Sequence, residues 1–157
     1  MIIGEKITLM PYTNERCHEL YKHYISDPMM TYDQFHYDET RVNQYFMLKV
    51  QDPTRHYFAI VSNGRTVGEI QLKYINELEK YGTLSILIAN DTFKDNGIGT
   101  EAIKLILKYA KERLQFTKVY ADAIHRNSRS QHVLEEIGFK FIREDNDLKY
   151  YEYLLYV

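Results

Sequence analysis

Apolar positions recur along this chain with two different periods, and the switches between them mark its elements. Residues 2–10 alternate well enough for a first strand. Thr13 then precedes a stretch in which Cys17, Leu20, Tyr21, Tyr24 and Ile25 recur near 3.6 residues, the signature of a helix with Thr13 as its cap. Asp27-Pro28 is the expected stop, because proline cannot continue a helical ladder. Residues 28–37 lose the period and read as a loop rich in methionine and aromatics. A second helix is predicted over 39–50, with Val42, Tyr45, Phe46 and either Lys49 or Val50 on one side and Pro53 after it.

The period then becomes two. Residues 56–61 and 66–75 read as strands joined by a tight Asn63-Gly64 turn, and 83–89 reads as the third strand of the meander after a polar link over 76–80. The helical period returns after residue 97, where Ile98, Ala102, Ile103, Ile106, Leu107, Ala110 and Leu114 share one face and Lys104, Lys108, Lys111 and Glu112 fall mostly on the other. A strand over 118–124 follows. Next comes a short helix capped by Asn127 or Ser128, carrying Val133, Leu134 and Ile137 and closed by Gly138. Strands over 140–143 and 149–156 turn through Asp145-Asn146-Asp147. With no linker, repeat or low-complexity tract, 1–157 is expected to form one α+β domain. Its single mixed, largely antiparallel sheet has about seven strands and is flanked by about four helices.

Composition narrows the function classes. At 157 residues, 45% hydrophobic and 27% charged, the chain suits a globular domain with a real core. A net charge of −2 argues against general nucleic-acid binding, which needs a basic face. Cys17 has no partner for an internal disulfide and falls on a helical apolar stripe, so it reads as core. No signal-peptide pattern or membrane-length apolar run is visible, and a cytoplasmic location is expected. The 15 tyrosines and absent tryptophan predict many half-buried rings with the hydroxyl at water.

Candidate chemistry concentrates at Phe93-Lys94-Asp95-Asn96-Gly97-Ile98-Gly99-Thr100, where the strand over 83–89 gives way to the long helix. Two glycines one residue apart let a ligand approach the backbone. The first-turn amides lack intrahelical partners and lie at the positive end of the helix dipole, so the turn suits a phosphate, with Lys94 at its entrance. A dinucleotide fold would need a third glycine and a strand opening a βαβ unit. A P-loop would need Gly-Lys-Ser/Thr. Neither is present. Taken alone, the glycines are equally compatible with a helix-start turn that needs them only for geometry.

A second motif, Asn127-Ser128-Arg129-Ser130-Gln131-His132-Val133-Leu134-Glu135-Glu136-Ile137-Gly138-Phe139, follows behind the next strand. With it the chain resembles the GNAT family of N-acyltransferases. Lys94–Gly99 matches the family's Gln/Arg-x-x-Gly-x-Gly/Ala turn, and Asn127 and Gly138-Phe139 match its strand-ending Asn and its Gly-Phe. The wording of the second motif is similar to the branch containing ribosomal-protein-alanine and spermidine acetyltransferases. The resemblance implies the family's fold, acetyl-CoA as co-substrate and no metal. The pyrophosphate would sit on the amides of Lys94, Asp95, Asn96, Gly97, Ile98, Gly99 and Thr100. The pantetheine arm would run beside Leu87, Ile88 and Ala89 where two strands splay, and Asn127 and Ser130 would lie near the sulfur. Lys94 replaces the family's planar fork with a point charge.

Acyl transfer to an amine needs a neutral nucleophile, a donor to the thioester oxygen and a proton for the departing thiolate. The tyrosine that many relatives place five residues before the Phe of Gly-Phe is Leu134 here, and the usual strand glutamate is Thr83. Ser130 is therefore the candidate to serve the leaving thiol, against a plain helix-start serine. Glu69 is the candidate base, against a solvent-facing carboxylate, and His125 is a further candidate against an ordinary strand-end histidine. Met29, Met30, Tyr32, Phe35 and Tyr37, with the first two helices and the last strands, are expected to build an acceptor pocket. Asp33, Asp38 and Glu39 would add acidity attractive to a cationic amine. The expected reaction is acetyl transfer to a small amine, a polyamine or a peptide N-terminus. The alternatives are an acetyl-CoA-binding sensor without turnover and a structural domain. The tail 150–157 is a candidate exposed edge for a homodimer.

Overall fold

Among the described residues, eight strands form one sheet in the order β1-β2-β3-β4-β5-β6-β8-β7. In chain order the elements are β1 (Ile2–Ile3), β2 (Thr8–Pro11), α1 (Asn14–Lys22), α2 (Glu39–Tyr45) continued by a π-helical turn at Phe46–Val50, β3 (His56–Ser62), β4 (Arg65–Asn76) and β5 (Tyr81–Ile88). Then come α3 (Ile98–Glu112), β6 (Lys118–Ile124), α4 (Ser128–Ile137), β7 (Lys140–Glu144) and β8 (Leu148–Leu154). The computed structural model describes residues 1–25, 35–89 and 97–156.

The sheet has one strand more than the alternation predicts, because the first strand is broken. Gly4 N donates to Ile7 O at 2.9 Å, closing a turn, and the Glu101 carboxylate accepts from the amides of Glu5 and Lys6. Helix α1 stops at Lys22, before the predicted Asp27-Pro28, which lies outside the described residues. Tyr24 and Ile25 thus fall beyond the helix, and Ile25 is 67% exposed instead of joining the stripe. The tail is not the sheet edge: β8 is sandwiched between β6 and β7, and the margin is β7, exposed along its whole length.

Two apolar layers hold the helices to opposite faces. Cys17, Leu20, Val42 and Phe46 pack with Ala59 and Val61 on one face. Leu9, Ile60, Ile70 and Leu72 pack with Ile103, Ile106 and Leu107 of α3 on the other. Each Ile or Leu so buried contributes about 1.5–3 kcal/mol. Strand β4 is covered on both sides from Thr66 to Leu72, so a polar side chain there must find partners inside the protein.

The hairpin turn forms as predicted, with Asn63 and Gly64 both at positive φ (50° and 77°). Parallel pairing of β5 with β6 runs only from Tyr81↔Lys118 to Leu84↔Ala121. β5 continues to Ile88 against β4, and β6 to Ile124 against β8, so the sheet opens between them.

Candidate active site

The opening is a cleft of about 560 Å³ walled by Leu84–Ile88 of β5 and Ala121–Ile124 of β6, with the starts of α3 and α4 at its rim. Pairing of β5 with β4 uses the backbone groups of alternate residues, so beyond Leu84 the others face the cleft with no strand beside them. That is an open sheet edge inside the molecule, and it suits an extended chain with amide groups of its own.

At one end of the cleft, Gly97 begins α3 at φ +77°, with no side-chain cap. The first intrahelical bond runs from Glu101 N to Gly97 O (3.0 Å), so the amides of Ile98, Gly99 and Thr100 lie ahead of the ladder. A Cβ on Gly99 would meet no atom of the described residues within 4 Å, and Gly97, Gly99 and Thr100 line the cleft. Lys6 is a cation the sequence did not flag, its Nζ 3.1 Å from where a Cβ on Gly97 would stand. Lys94, Asp95 and Asn96 lie outside the described residues. The side chain of Ile98 turns into the core, leaving only its backbone for a ligand. Leu87 and Ile88 line the cleft as expected, but Ala89 does not. Ala89 is fully buried, its N–H donates to Val67 O (2.8 Å), and its carbonyl accepts from Ile25 N (2.7 Å).

The opposite wall is the start of α4. Asn127 is its cap, with Oδ1 accepting from Ser130 N at 3.0 Å. Asn127, Ser130 and Leu134 all line the cleft, one helical turn apart. Leu134 is 4% exposed and offers no hydroxyl, so Ser130 is the nearest hydroxyl on that face. His125 points elsewhere: its Nε2 sits 2.7 Å from Asp145 O and its Nδ1 3.7 Å from Glu144, tying it to the β7–β8 turn.

A second cleft of about 370 Å³ opens on the α1–α2 face and shares Ser85, Ile86 and Leu87 with the first. Its floor is Glu69, which is not the solvent-facing carboxylate of the plain sequence reading but only 6% exposed. Tyr21 and Tyr45 donate to Oε1 and Tyr12 to Oε2, each at 2.7 Å. Because the Tyr45 proton is committed to Glu69, the 2.9 Å contact between Tyr45 and Tyr57 makes Tyr57 the donor there. Burial raises the pKa of Glu69, opposed by the three tyrosine hydrogen bonds. The tyrosines are pushed further up by burial and by the neighbouring carboxylate, so they stay protonated as donors.

Sheet register extends this floor across the opening. Tyr57, Gln71 and Ser85 pair in one row, and Asp122 stands one step past the last β5–β6 pair, opposite Tyr150 of β8. Burial raises the Asp122 carboxyl, opposed by Lys73. Nothing in the sequence marks Tyr12, Tyr21 and Tyr45 as a set, since their spacing has no period and only tertiary folding brings them to Glu69. Of the predicted acceptor residues, Phe35 packs against Tyr21 and Tyr24, and Tyr37 lies beside His18. Asp38 caps α2 through Thr40 N and Arg41 N. Met29, Met30, Tyr32 and Asp33 are outside the described residues, and strands β3–β5 replace the last strands as the pocket wall. Among the described residues no three His, Cys, Asp or Glu side chains gather as a metal site would need, and no helix is long and apolar enough to cross a membrane.

Comparison with known proteins agrees with this layout. The family described as Acetyltransferase (GNAT) domain matches residues 6–140. The mouse alpha/beta-tubulin-N-acetyltransferase 9 is 26% identical over 163 residues, covering 93% of this chain and 66% of that protein. The Escherichia coli K12 spermidine N(1)-acetyltransferase is 24% identical over 90 residues, covering 57% of this chain and 48% of that enzyme. Among solved structures, the Vibrio cholerae spermidine N-acetyltransferase in complex with CoA and spermine superposes with a TM-score of 0.80 at 18% identity, covering 97% of both chains. A GNAT-family acetyltransferase from Bacillus anthracis gives 0.79 at 18%, covering 98% of both. Parted parallel strands, a glycine helix start and a family match across most of the sequence converge: the chain belongs to the acetyltransferase (GNAT) family.

Proposed function

We propose that this protein transfers an acetyl group from acetyl-CoA to a primary amine by direct attack in a ternary complex. One observation carries the reading: the two clefts meet at Ser85–Leu87, where the strands part, so a donor from one side and an acceptor from the other can reach the same point. The residues fit acetyl-CoA. The open space over Gly99 leaves room for a diphosphate against the amides of Ile98, Gly99 and Thr100, and the unpaired edge of β5 at Ser85–Ile88 matches an amide-bearing arm.

Bound there, acetyl-CoA supplies a thioester whose C–S bond breaks as the C–N bond forms; overall the ammonium loses two protons, one to the thiolate and one to solvent. A backbone N–H of β5 facing the opening polarises the carbonyl, a contribution on the order of 3 kcal/mol to the transition state. Glu69 is the proton sink. Its burial makes it a stronger base than an exposed carboxylate, and Tyr45 and Tyr21 carry protons between the cleft and its Oε1. Ser130 hydrogen-bonds the departing sulfur, with its helix turn fixed by the Asn127 cap.

Leu134 favours a second reading, a domain that binds acetyl-CoA without turnover, because it removes the hydroxyl that many relatives carry. A thiol-release assay over a panel of amines, with wild type beside Ser130→Ala and Glu69→Gln, separates the two. Turnover that falls about 10²–10⁴-fold in Glu69→Gln is expected for a lost general base. Absence of thiol release with every amine, while acetyl-CoA still raises Tm, establishes the binding-only reading.

A further inference from the structure

The acceptor cleft has a charge layout that the transfer chemistry does not require. Glu69 lies at its floor, and Lys49 and Arg55 line the same cleft. Lys49 comes from the π-helical turn after α2, and Arg55 stands just before β3. The Arg55 guanidinium reaches Gln71 Oε1 at 3.3 Å, so it sits at the level of the Tyr57–Gln71–Ser85 row, one row from Glu69. Two residues along a strand span about 7 Å. Asp52 pairs with Arg55 at 3.6 Å and also feels Lys49, yet it does not line the cleft, and one carboxylate offsets one of two cations. On the far side, Asp122 lines the cleft one step past the Leu84↔Ala121 pair, at the level of Ser85, and adds a carboxylate there.

A linear polyamine fits this layout poorly. With one nitrogen at the junction, its next ammonium falls where Lys49 and Arg55 repel it. Resting on the transfer reading above, we propose that the acceptor is a small anionic amine. Its amino group lies at the Leu87 end of Ser85–Leu87, in the Glu69 row, and its carboxylate or phosphate, one row or about 7 Å along the strands, lies against Lys49 and Arg55. Arg55 is suited to a forked contact with either anion, and its orientation is set by Gln71 and Asp52. The size agrees, since about 370 Å³ holds a small molecule.

The test compares kcat/KM for 6-aminohexanoate, 3-aminopropyl phosphate, 1,5-diaminopentane and spermidine under thiol-release conditions. The anionic amines should exceed the diamine by about tenfold or more, and the better of the two identifies carboxylate or phosphate. Lys49→Glu, at an exposed position, and Arg55→Gln should each lower the ratio of anionic to cationic kcat/KM about tenfold, mainly through KM. A preference for spermidine or the diamine, or a ratio unmoved by both variants, overturns the proposal while leaving acetyl transfer intact. No thiol release with any amine removes the transfer reading and this one with it.

Discussion

Gly99→Ala separates the two jobs that a glycine can have at the start of α3. In the free protein the new methyl meets no atom of the described residues within 4 Å, so it costs no packing against them. As the second residue of the helix, alanine should be as good as glycine or better by up to ~1 kcal/mol. For a domain of this size that leaves Tm unchanged or raises it by roughly 2–4 °C. The same methyl occupies the space assigned to the diphosphate. At a hundredfold excess over Kd, acetyl-CoA should stabilise the wild type by about 2.7 kcal/mol. Binding weakened tenfold removes about 1.4 kcal/mol of that, roughly halving the ligand-induced shift in Tm. Thermal melts with and without acetyl-CoA, at matched concentrations, read both effects. An unchanged ligand shift in a normally folded Gly99→Ala would refute the placement of the diphosphate on these amides. A large fall in the Tm of the free protein would show that the glycine serves the backbone instead.

Other expectations follow from the same site. Gly68→Ala should destabilise by about 1–3 kcal/mol in denaturant melts, since its Cβ would stand 2.6 Å from Leu87 O, a backbone atom that cannot step aside. Because burial raises Glu69, kcat/KM should climb with pH as that carboxyl ionises, at values above the ordinary glutamate range, and Glu69→Gln should lose this limb. Stability should move the other way. Over that window the folded state holds a proton the unfolded chain has released, so rising pH should cost the wild type stability relative to Glu69→Gln in pH-resolved melts. His56, lowered by burial beside Tyr109, has the opposite sign: its contribution to stability is present above pH 6.5 and is lost as pH falls toward its lowered pKa, which His56→Gln should flatten.

Most of the architecture was legible because the period of the apolar residues changes cleanly. The Asn63-Gly64 turn, the core face of α3 and the Gly138 stop after α4 all rest on local rules, and all are present. The misses are places where distant chain segments decide. Glu101 breaks the first strand from about a hundred residues away, and the early end of α1 at Lys22 is not marked by a proline. At the site, the helix starts and Asn127 could be read from motifs, because their role depends on backbone geometry set within a few residues. The setting of Glu69 could not. Its exposure and its three donors depend on α1 and α2 closing over β4, and a strand-interior glutamate looks the same in sequence whether it faces water or tyrosines. Ala89 stays out of the cleft for a related reason: the chain leaving α1 claims its carbonyl.

The Glu101 clasp has a consequence for how the protein matures. Its carboxylate binds the turn between β1 and β2, and Gly4 is so close to it that a Cβ would stand 2.6 Å from Oε1. Residues 4–6 therefore brace the first turn of α3, the turn proposed to take the diphosphate. During synthesis that turn emerges long after its brace, so the clasp forms only when the two ends of this long loop close. Removing residues 1–6 would spare every residue lining the two clefts and still leave that turn untethered.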